Sequence, residues 1–503
     1  MNATPSRWIP ALKGLAPFVL GVGIWLTPIP EGLTREAWHL FALFAAAIFA
    51  VIVNAYPLLT SALLAGSIAV LSNTLDPAKA FAGFANPSVL LVVVAFLVAQ
   101  AVVKCGLGQR ISLKVVSLFG KSTLGLAYSI FITDALIAPG FPSNTARGGV
   151  LYPIILALSQ SSGSVPDDDA KRRLGGYLMF CGMASLAVSS ALWLTATSAN
   201  PIGVSLAAEQ GLKVDFGKWL LVASVPALVT IALLPRLIFW IFPPGVTDTP
   251  AAPAAARQQL LEMGPLSRDE WVTAVTFSLM VGAWIFAGVL KLNLTAVAIA
   301  GLGTLLALRV LTLEDIYLQG STLATFLWLA VLFALSGQLN ELGFMGYVGQ
   351  RLASMLGGIS WPVAYVALLG LYVLMHYMFV SQSAQVLALL GVFLDVGIQA
   401  GVPLPLMGFA LLFASSYFST LTPQGGSQNV IFAASGYLRQ AWACASARTR
   451  MLYLCYIPPS LLATGRLAAI RSEATTPGRG AASPALQMRA GWLLSRRSGS
   501  SPF

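Results

Sequence analysis

A helix that crosses the hydrocarbon core needs about 20 predominantly apolar residues, and this sequence offers such runs again and again. Runs 11–28, 37–55, 57–73, 87–103, 176–196, 218–242, 271–290, 294–310, 322–338, 361–380 and 403–420 have that character. Runs 122–138, 148–160 and 384–400 are shorter or interrupted by Gly, Pro or polar residues, the pattern of re-entrant hairpins and discontinuous helices. Only 9% of residues are charged, against about 25% in a soluble domain, so water cannot be the solvent around most of the chain. The expected class is an all-α polytopic membrane protein. Met1 to Pro10, which precede the first run, are too few for a transit peptide. The expected location is the bacterial cytoplasmic (inner) membrane.

The chemistry-bearing residues narrow the function. Cys105, Cys181, Cys444 and Cys455 lack paired spacing, and the two histidines, His39 and His376, stand far apart. No disulfide framework, metal knuckle or haem site is indicated. A membrane-embedded enzyme would need a base or a metal cluster at depth, so the chain is read as a non-enzyme without a cofactor. The stretch Gly301–Gly303 is no dinucleotide fingerprint, because neither a strand nor a third glycine frames it.

The most informative segment is Ile137–Pro153, IAPGFPSNTARGGVLYP. Pro139, Gly140 and Pro142 break a helix, Ser143-Asn144-Thr145 follow, and a new apolar helix begins. Broken backbone at membrane depth needs a cavity, a ligand or protein partners. A helix N-terminus with free N–H groups attracts anions, and neutral hydroxyls and amides bind a carboxylate reversibly or hold a sodium ion. Ser381-Gln382-Ser383 repeats this chemistry before a second apolar helix. The triplets stand 238 positions apart, and Leu107-Gly108 and Leu342-Gly343 stand 235 apart. This spacing points to an internal repeat, commonly inverted in transporters, with substrate at the repeat interface. Helix capping alone explains either triplet; two facing tips would clamp a molecule with a carboxylate at each end. Two further breaks, TATSANPIG at 195–203 and TLTPQGGSQN at 420–429, place Pro201 and Pro423 222 apart. Their carbonyls are candidates to complete cation sites beside each triplet.

Ionisable residues in or near spans are Asp134, Arg147, Glu341, His376 and Asp395. Asp134 pairs with Arg147 to brace the first hairpin, or Arg147 lends positive potential to a dianion. His376 reads as a packing residue of the second hairpin rather than a proton relay. The segments Ser161–Arg173 and Pro243–Glu270 read as aqueous loops, the second as a linker between halves. Lys104, Arg110, Lys114 and Lys121 place their segment on the cytoplasmic side.

PSNTARGG followed by YPI, with CGLGQRI and GKSTLGLAY before it, resembles the divalent-anion:sodium symporter family over roughly residues 10–438. The likeness is strongest to its branch of citrate/succinate and tartrate/succinate exchangers and plastid 2-oxoglutarate/malate translocators. The resemblance implies a homodimer of scaffold and transport domains working as an elevator, with two inverted repeats. It implies substrate carboxylates on Ser143, Asn144 and Thr145 and on Ser381, Gln382 and Ser383. It places one cation site at Ser143, Asn144, Ser198, Ala199 and Asn200, and another at Ser381, Thr422 and Pro423. Departures are Ser383-Ala384-Gln385, where the branch has Thr-Ala-His, and the break at Pro423–Gly426.

The segmentation that follows is 1–103 scaffold, 104–242 first transport elements, 243–270 linker, 271–338 second scaffold, 339–438 second transport elements and 439–503 tail. The tail carries +8 of the net charge of +11, and its abrupt loss of apolar pattern reads as out-of-frame translation from about residue 439. The basic charge is therefore no sign of nucleic acid. The expected function is secondary transport of malate, succinate, 2-oxoglutarate, citrate or tartrate, by exchange or Na⁺-coupled symport, with the bilayer and a second copy as partners.

Overall fold

The structure is a computed structural model and describes residues 8–168, 172–355, 359–379, 381–420 and 425–438. Among these residues every regular element is helical. The first half runs through α1 (Trp8–Leu26), α2 (Arg35–Ile52), α3 (Leu58–Leu71), α4 (Pro77–Ala80) and α5 (Pro87–Lys104). It continues with α6 (Leu107–Phe119), α7 (Thr123–Ile137), α8 (Asn144–Ser161), α9 (Arg172–Leu192), α10 (Ala199–Glu209) and α11 (Phe216–Ile241). After α12 (Ala251–Glu262), the second half brings α13 (Arg268–Ile285), α14 (Ala287–Leu290), α15 (Leu294–Ala307), α16 (Leu313–Tyr317) and α17 (Gly320–Glu341). It closes with α18 (Phe344–Met355), α19 (Trp361–His376), α20 (Gln382–Gln399), α21 (Leu404–Tyr417) and α22 (Ser427–Ala433).

Local chemistry sets most boundaries. Side chains of Thr34, Asn86, Ser122, Asp215 and Asn293 accept from first-turn N–H groups of α2, α5, α7, α11 and α15. Ser267 and Glu270 close a reciprocal capping box on α13. Among the described residues seven segments are long and apolar enough to span: Arg35–Ile52, Pro87–Lys104, Thr123–Gly140, Arg173–Leu192, Phe216–Ile241, Gly320–Glu341 and Gln382–Gln399. Runs 122–138 and 384–400, expected to be short, lie in segments of spanning length, because the Ala138–Gly140 turn continues α7 and the Ser381 cap starts α20 two residues early. Conversely, runs 57–73 and 294–310 form shorter helices. Asn73 and Arg309, both at positive φ, end them early. Runs 361–380 and 403–420 are likewise shorter helical segments, Trp361–His376 and Leu404–Thr420.

The elements α5–α10 recur as α17–α22. Each series has a long helix, an amphipathic helix, a hairpin helix, a capped helix, a buried apolar helix and a continuation beyond a break. The turn between the first two members holds Gly106 in one half and Gly343 in the other, both at φ 79°. This left-handed backbone favours glycine. Gly343 therefore matches Gly106, 237 positions away, and not Gly108 as the Leu-Gly pairs had suggested; the triplets stand almost as far apart.

α17 is the centre of the scaffold, packed against α2, α3 and α5 on one side and touching α18 and α20 on the other. Backbones approach closely there: a Cβ on Gly83 would lie 1.9 Å from the Ala330 carbonyl oxygen. Small residues at such crossings are how helices pack tightly in lipid. α9 is enclosed by α7, α8, α11 and α21, with Trp219 Nε1 donating to Ala191 O at 3.1 Å and Tyr177 OH to Pro235 O at 3.0 Å.

The 243–270 linker is not the open loop its Pro and Ala content suggested. It folds as α12 and docks on α6. Thr123 N–H donates to Thr247 O and Thr249 N–H to Lys121 O, each at 2.9 Å. Arg110 donates to Glu270 and to the carbonyls of Gly264 (2.9 Å) and Met263 (3.3 Å). These polar contacts hold α12 although its own sequence has little apolar character. The 439–503 tail lies outside the described residues.

Candidate functional site

Both triplets sit where a hairpin ends and a helix begins. In the first half, Ala138–Gly140 forms one 3₁₀ turn, Phe141 and Ser143 are extended, and α8 starts at Asn144. Pro139 and Pro142 remove donors that a continuous helix would need. Ser143 Oγ accepts from Ala146 N–H at 3.2 Å, and Ser381 Oγ accepts from Ala384 N–H at 3.3 Å. The two helix N-termini converge from opposite halves, as inverted repeats require. Asn144 Nδ2 donates to Gln382 Oε1 at 3.1 Å.

The tips and the two breaks enclose a cavity of about 230 Å³, lined by Phe96, Pro142, Ser143, Asn144, Thr197, Ser198, Ser381, Gln382, Ser383 and Ser427. Its lining is hydroxyls and amides with one aromatic wall and no charged side chain. Thr145 instead reaches across the repeat boundary, donating to Ser427 Oγ at 2.6 Å. The equivalent contact in the other direction joins Ser383 Oγ to Ser198 Oγ at 2.8 Å. Each tip is thereby latched to the break of the opposite half.

The first break is residues 193–198, between α9 and α10. Ser198 N–H donates to Pro142 O at 3.0 Å, and Thr195 Oγ1 to Pro139 O at 2.6 Å, so break and tip are tied together. Ala199 and Asn200 already belong to α10, and Asn200 Nδ2 donates to Ser190 O at 2.7 Å. Asn429 does the same in the second half, donating to Ser419 O at 2.6 Å. Asn200 and Asn429 stand 229 positions apart, so they mark the equivalence of the breaks. The spacing of Pro201 and Pro423 does not. Thr422 and Pro423 lie outside the described residues.

Beneath the first tip lies a fully buried ion pair, Arg147 Nη1 to Asp134 Oδ1 at 3.0 Å. The guanidinium also donates to Asn144 Oδ1 and Ser190 Oγ, each at 2.6 Å, to Ser189, and to Ala196 O at 3.3 Å. Asp134 is held in turn by Ser189. Arg147 therefore ties α7, α8, α9 and the break into one unit and faces the underside of the tip. Of the alternatives open for this pair, the geometry is that of the brace. Ser189, Ser190 and Ser427 were not singled out in the sequence; a serine pair one turn from a predicted break, ASLAVSS, was the available signal.

Elsewhere, Glu341 is at the end of α17 near Lys79, at 3.8 Å, and Asp395 bonds Gln399 far from the cavity. Among the described residues no group of three His, Cys, Asp or Glu side chains is placed to hold a metal ion.

Helices broken at depth, capped polar tips meeting at one cavity, and repeated halves define a secondary membrane transporter. The chain belongs to the family described as the sodium:sulfate symporter transmembrane region, which matches residues 10–455. This is the family that the PSNTARGG segment suggested, and the match runs past residue 438 into the tail. Dicarboxylate transporter 2, chloroplastic, of Spinacia oleracea is 38% identical over 434 residues, covering 84% of this chain and 77% of that one. The citrate/succinate antiporter of Escherichia coli K12 is 33% identical over 448 residues, covering 85% and 92%. The YdaH transporter of Alcanivorax borkumensis, whose structure was described as having an unusual topology, aligns over 93% of this chain and 98% of its own. Its TM-score of 0.50 at 16% identity speaks for the fold alone. The chain is a multi-pass inner-membrane transporter and not an enzyme.

Proposed function

We propose that this protein carries C4 dicarboxylates or related di- and tricarboxylates across the membrane. The observation that carries the reading is the meeting of the two tips, Asn144 against Gln382 at 3.1 Å, over a small uncharged polar cavity. Each tip presents the positive end of a helix and side-chain donors, and two such ends suit a molecule bearing a carboxylate at each end. Ser143 and Asn144 take one carboxylate, with Thr145 holding their helix start through its bond to Ser427; Ser381, Gln382 and Ser383 take the other. The names of the plastid and E. coli relatives point to the same substrate class.

Exchange of one dicarboxylate for another is the preferred mode. A cation site at the first tip would draw on Asn144, but its side-chain oxygen already accepts from Arg147 and Ser190. A sodium ion beside that guanidinium would meet repulsion. Ser143, Ser198 and the break carbonyls remain as candidate ligands for Na⁺-coupled symport. The family likeness supports a homodimer in which α6–α11 and α18–α22 move as an elevator against the scaffold.

Counterflow in proteoliposomes tests the reading, with malate, succinate, 2-oxoglutarate, citrate and tartrate, each with and without a Na⁺ gradient. Trans-stimulated uptake of at least one of them is expected. No uptake of any of the five overturns the substrate class, and uptake only with a Na⁺ gradient overturns exchange.

A further inference from the structure

The two tips are supported differently. Gln385 is the repeat equivalent of Arg147, 238 positions away, so among the described residues the second tip has no counterpart of that buried arginine. His376, on the last turn of α19, stands in its place. Its Nδ1 meets Gln385 Oε1, and its Nε2 lies 2.8 Å from Gly425 O. Gly425 leads directly to Ser427, which lines the cavity. His376 thus joins the helix behind the second tip to the second break. Arg147 joins the helix behind the first tip to Ala196 O of the first break in the same way.

Counting protons shows which contacts each form of the ring can satisfy. Gln385 Nε2 donates to Tyr372 O at 3.2 Å, so its amide oxygen, an acceptor, is the atom turned to the ring. Gly425 O is also an acceptor. A neutral imidazole has one N–H and satisfies one of these two contacts; an imidazolium satisfies both. His376 is 1% exposed, so an unmade contact there is not replaced by solvent.

The charged and titratable groups around the ring are few. On its own helix, Tyr372 shares a hydrogen bond with Ser415 Oγ (3.0 Å). Tyr377, edge-on to the imidazole, donates to Phe418 O (3.2 Å). Among the described residues the only charge on α20 is Asp395, engaged with Gln399, and α21, the 418–420 turn and α22 carry none. No protein carboxylate among them neutralises the ring. A carboxylate of the substrate at the second tip would be the nearest counter-charge.

We propose that His376, as an imidazolium, is the positioning residue of the second tip, and that carboxylate binding there and proton uptake by His376 favour each other. Linkage makes the effect reciprocal: substrate raises proton occupancy, and a proton on His376 strengthens substrate binding. Histidine is the side chain whose charge changes in the physiological range, so the second tip is pH-dependent while the first, held by Arg147, is not. The inference rests on the dicarboxylate reading given above and deepens it.

Counterflow of malate is measured in proteoliposomes between about pH 6 and about pH 8.5, a window in which histidine titrates and most malate is fully ionised. Uptake by the unmodified protein is expected to fall about fivefold or more as pH rises; a flat profile overturns the proposal without touching the substrate class. H376Q, which keeps a donor and removes the titration, is expected to flatten the profile. A wild-type slope in H376Q overturns the assignment. Q385E places a carboxylate against the ring and is expected to move the midpoint to higher pH by about one unit; an unmoved midpoint also overturns it. Failure of the unmodified protein to transport any dicarboxylate falsifies the substrate reading instead.

Discussion

Asn144 and Gln382 touch at 3.1 Å across the boundary between the two halves, each as the first residue of a helix. The contact joins positions 238 apart in the chain. It also means that both tips have donors to offer to the same small volume.

Truncating the first tip therefore ends transport without ending folding. Ser143→Ala removes a cap worth about 1 kcal/mol and one hydroxyl from the cavity. Asn144→Ala removes the tip-to-tip contact. Counterflow is expected to be lost in both, while size-exclusion chromatography in detergent gives the elution volume of the unmodified protein. Unchanged uptake in either variant removes that residue from the site.

The buried pair beneath the tip is a stability element. Arg147→Gln leaves Asp134 buried with only the neutral hydroxyls of Ser189 and Ser185 for company, and removing one member of such a pair costs about 3–5 kcal/mol. Arg147→Lys is expected to rescue poorly, since an ammonium cannot reach Asp134, Asn144, Ser190 and Ala196 O together. Thermal unfolding in detergent ranks the three proteins. A lysine variant as stable as the original would refute the bracing geometry.

The crossed latches should be energetically coupled to their own partners and not to each other. A double-mutant cycle of Thr145→Val and Ser427→Ala is expected to give a coupling of about 0.5–1.5 kcal/mol. Thr145→Val combined with Ser198→Ala is expected to be additive within about 0.5 kcal/mol. Denaturation midpoints of the single and double variants supply both numbers.

Gly140 is required by space. A Cβ there would lie 2.0 Å from Phe277 Cε2 on α13, where the first hairpin meets the scaffold. Gly140→Ala is expected to lower thermal stability by about 1–3 kcal/mol, and adding Phe277→Leu should recover part of it. No recovery in the double variant would show that backbone freedom, not the ring, is what matters.

One surface pair gives an acid-side dependence. The Lys104 ammonium, 2.6 Å away, and the Thr312 N–H hold the Asp315 carboxyl below its usual range. A lowered folded-state value adds stability above the unfolded value, and that stability is lost as pH falls through the folded one. The pair is partly exposed, so the effect is small and salt-sensitive. Asp315→Asn is expected to shallow the decline of melting temperature below about pH 5; an identical decline would exclude the pair as its source.

Much of this was legible in the residues because it is local. Apolar run length, the prolines at 139 and 142, and the Ser caps at 143 and 381 act over a turn or two of helix, so the spans, the broken hairpins and both triplets could be read directly. The Asp134–Arg147 pair was legible for the same reason, lying one hairpin apart. Boundaries shifted where a cap added a polar turn or a positive-φ residue removed one.

The rest was decided only by packing. Residues 198 and 383, or 145 and 427, have no mark in the chain that says they will meet; they do so because two halves place equivalent helices around one cavity. The true repeat equivalences, Gly106 with Gly343 and Asn200 with Asn429, follow hydrogen bonds and φ angles, while Leu-Gly pairs and prolines misled by a few positions. α12 folds because α6 and Arg110 offer partners that its own composition does not reveal. His376 reads as a packing residue from its position alone; that Gln385 Oε1 and Gly425 O both face its ring is visible only in the fold. Short-range chemistry thus wrote the elements and the tips into the sequence. Which donor faces which acceptor, and hence where a buried charge is held, is a property of groups brought together from far apart.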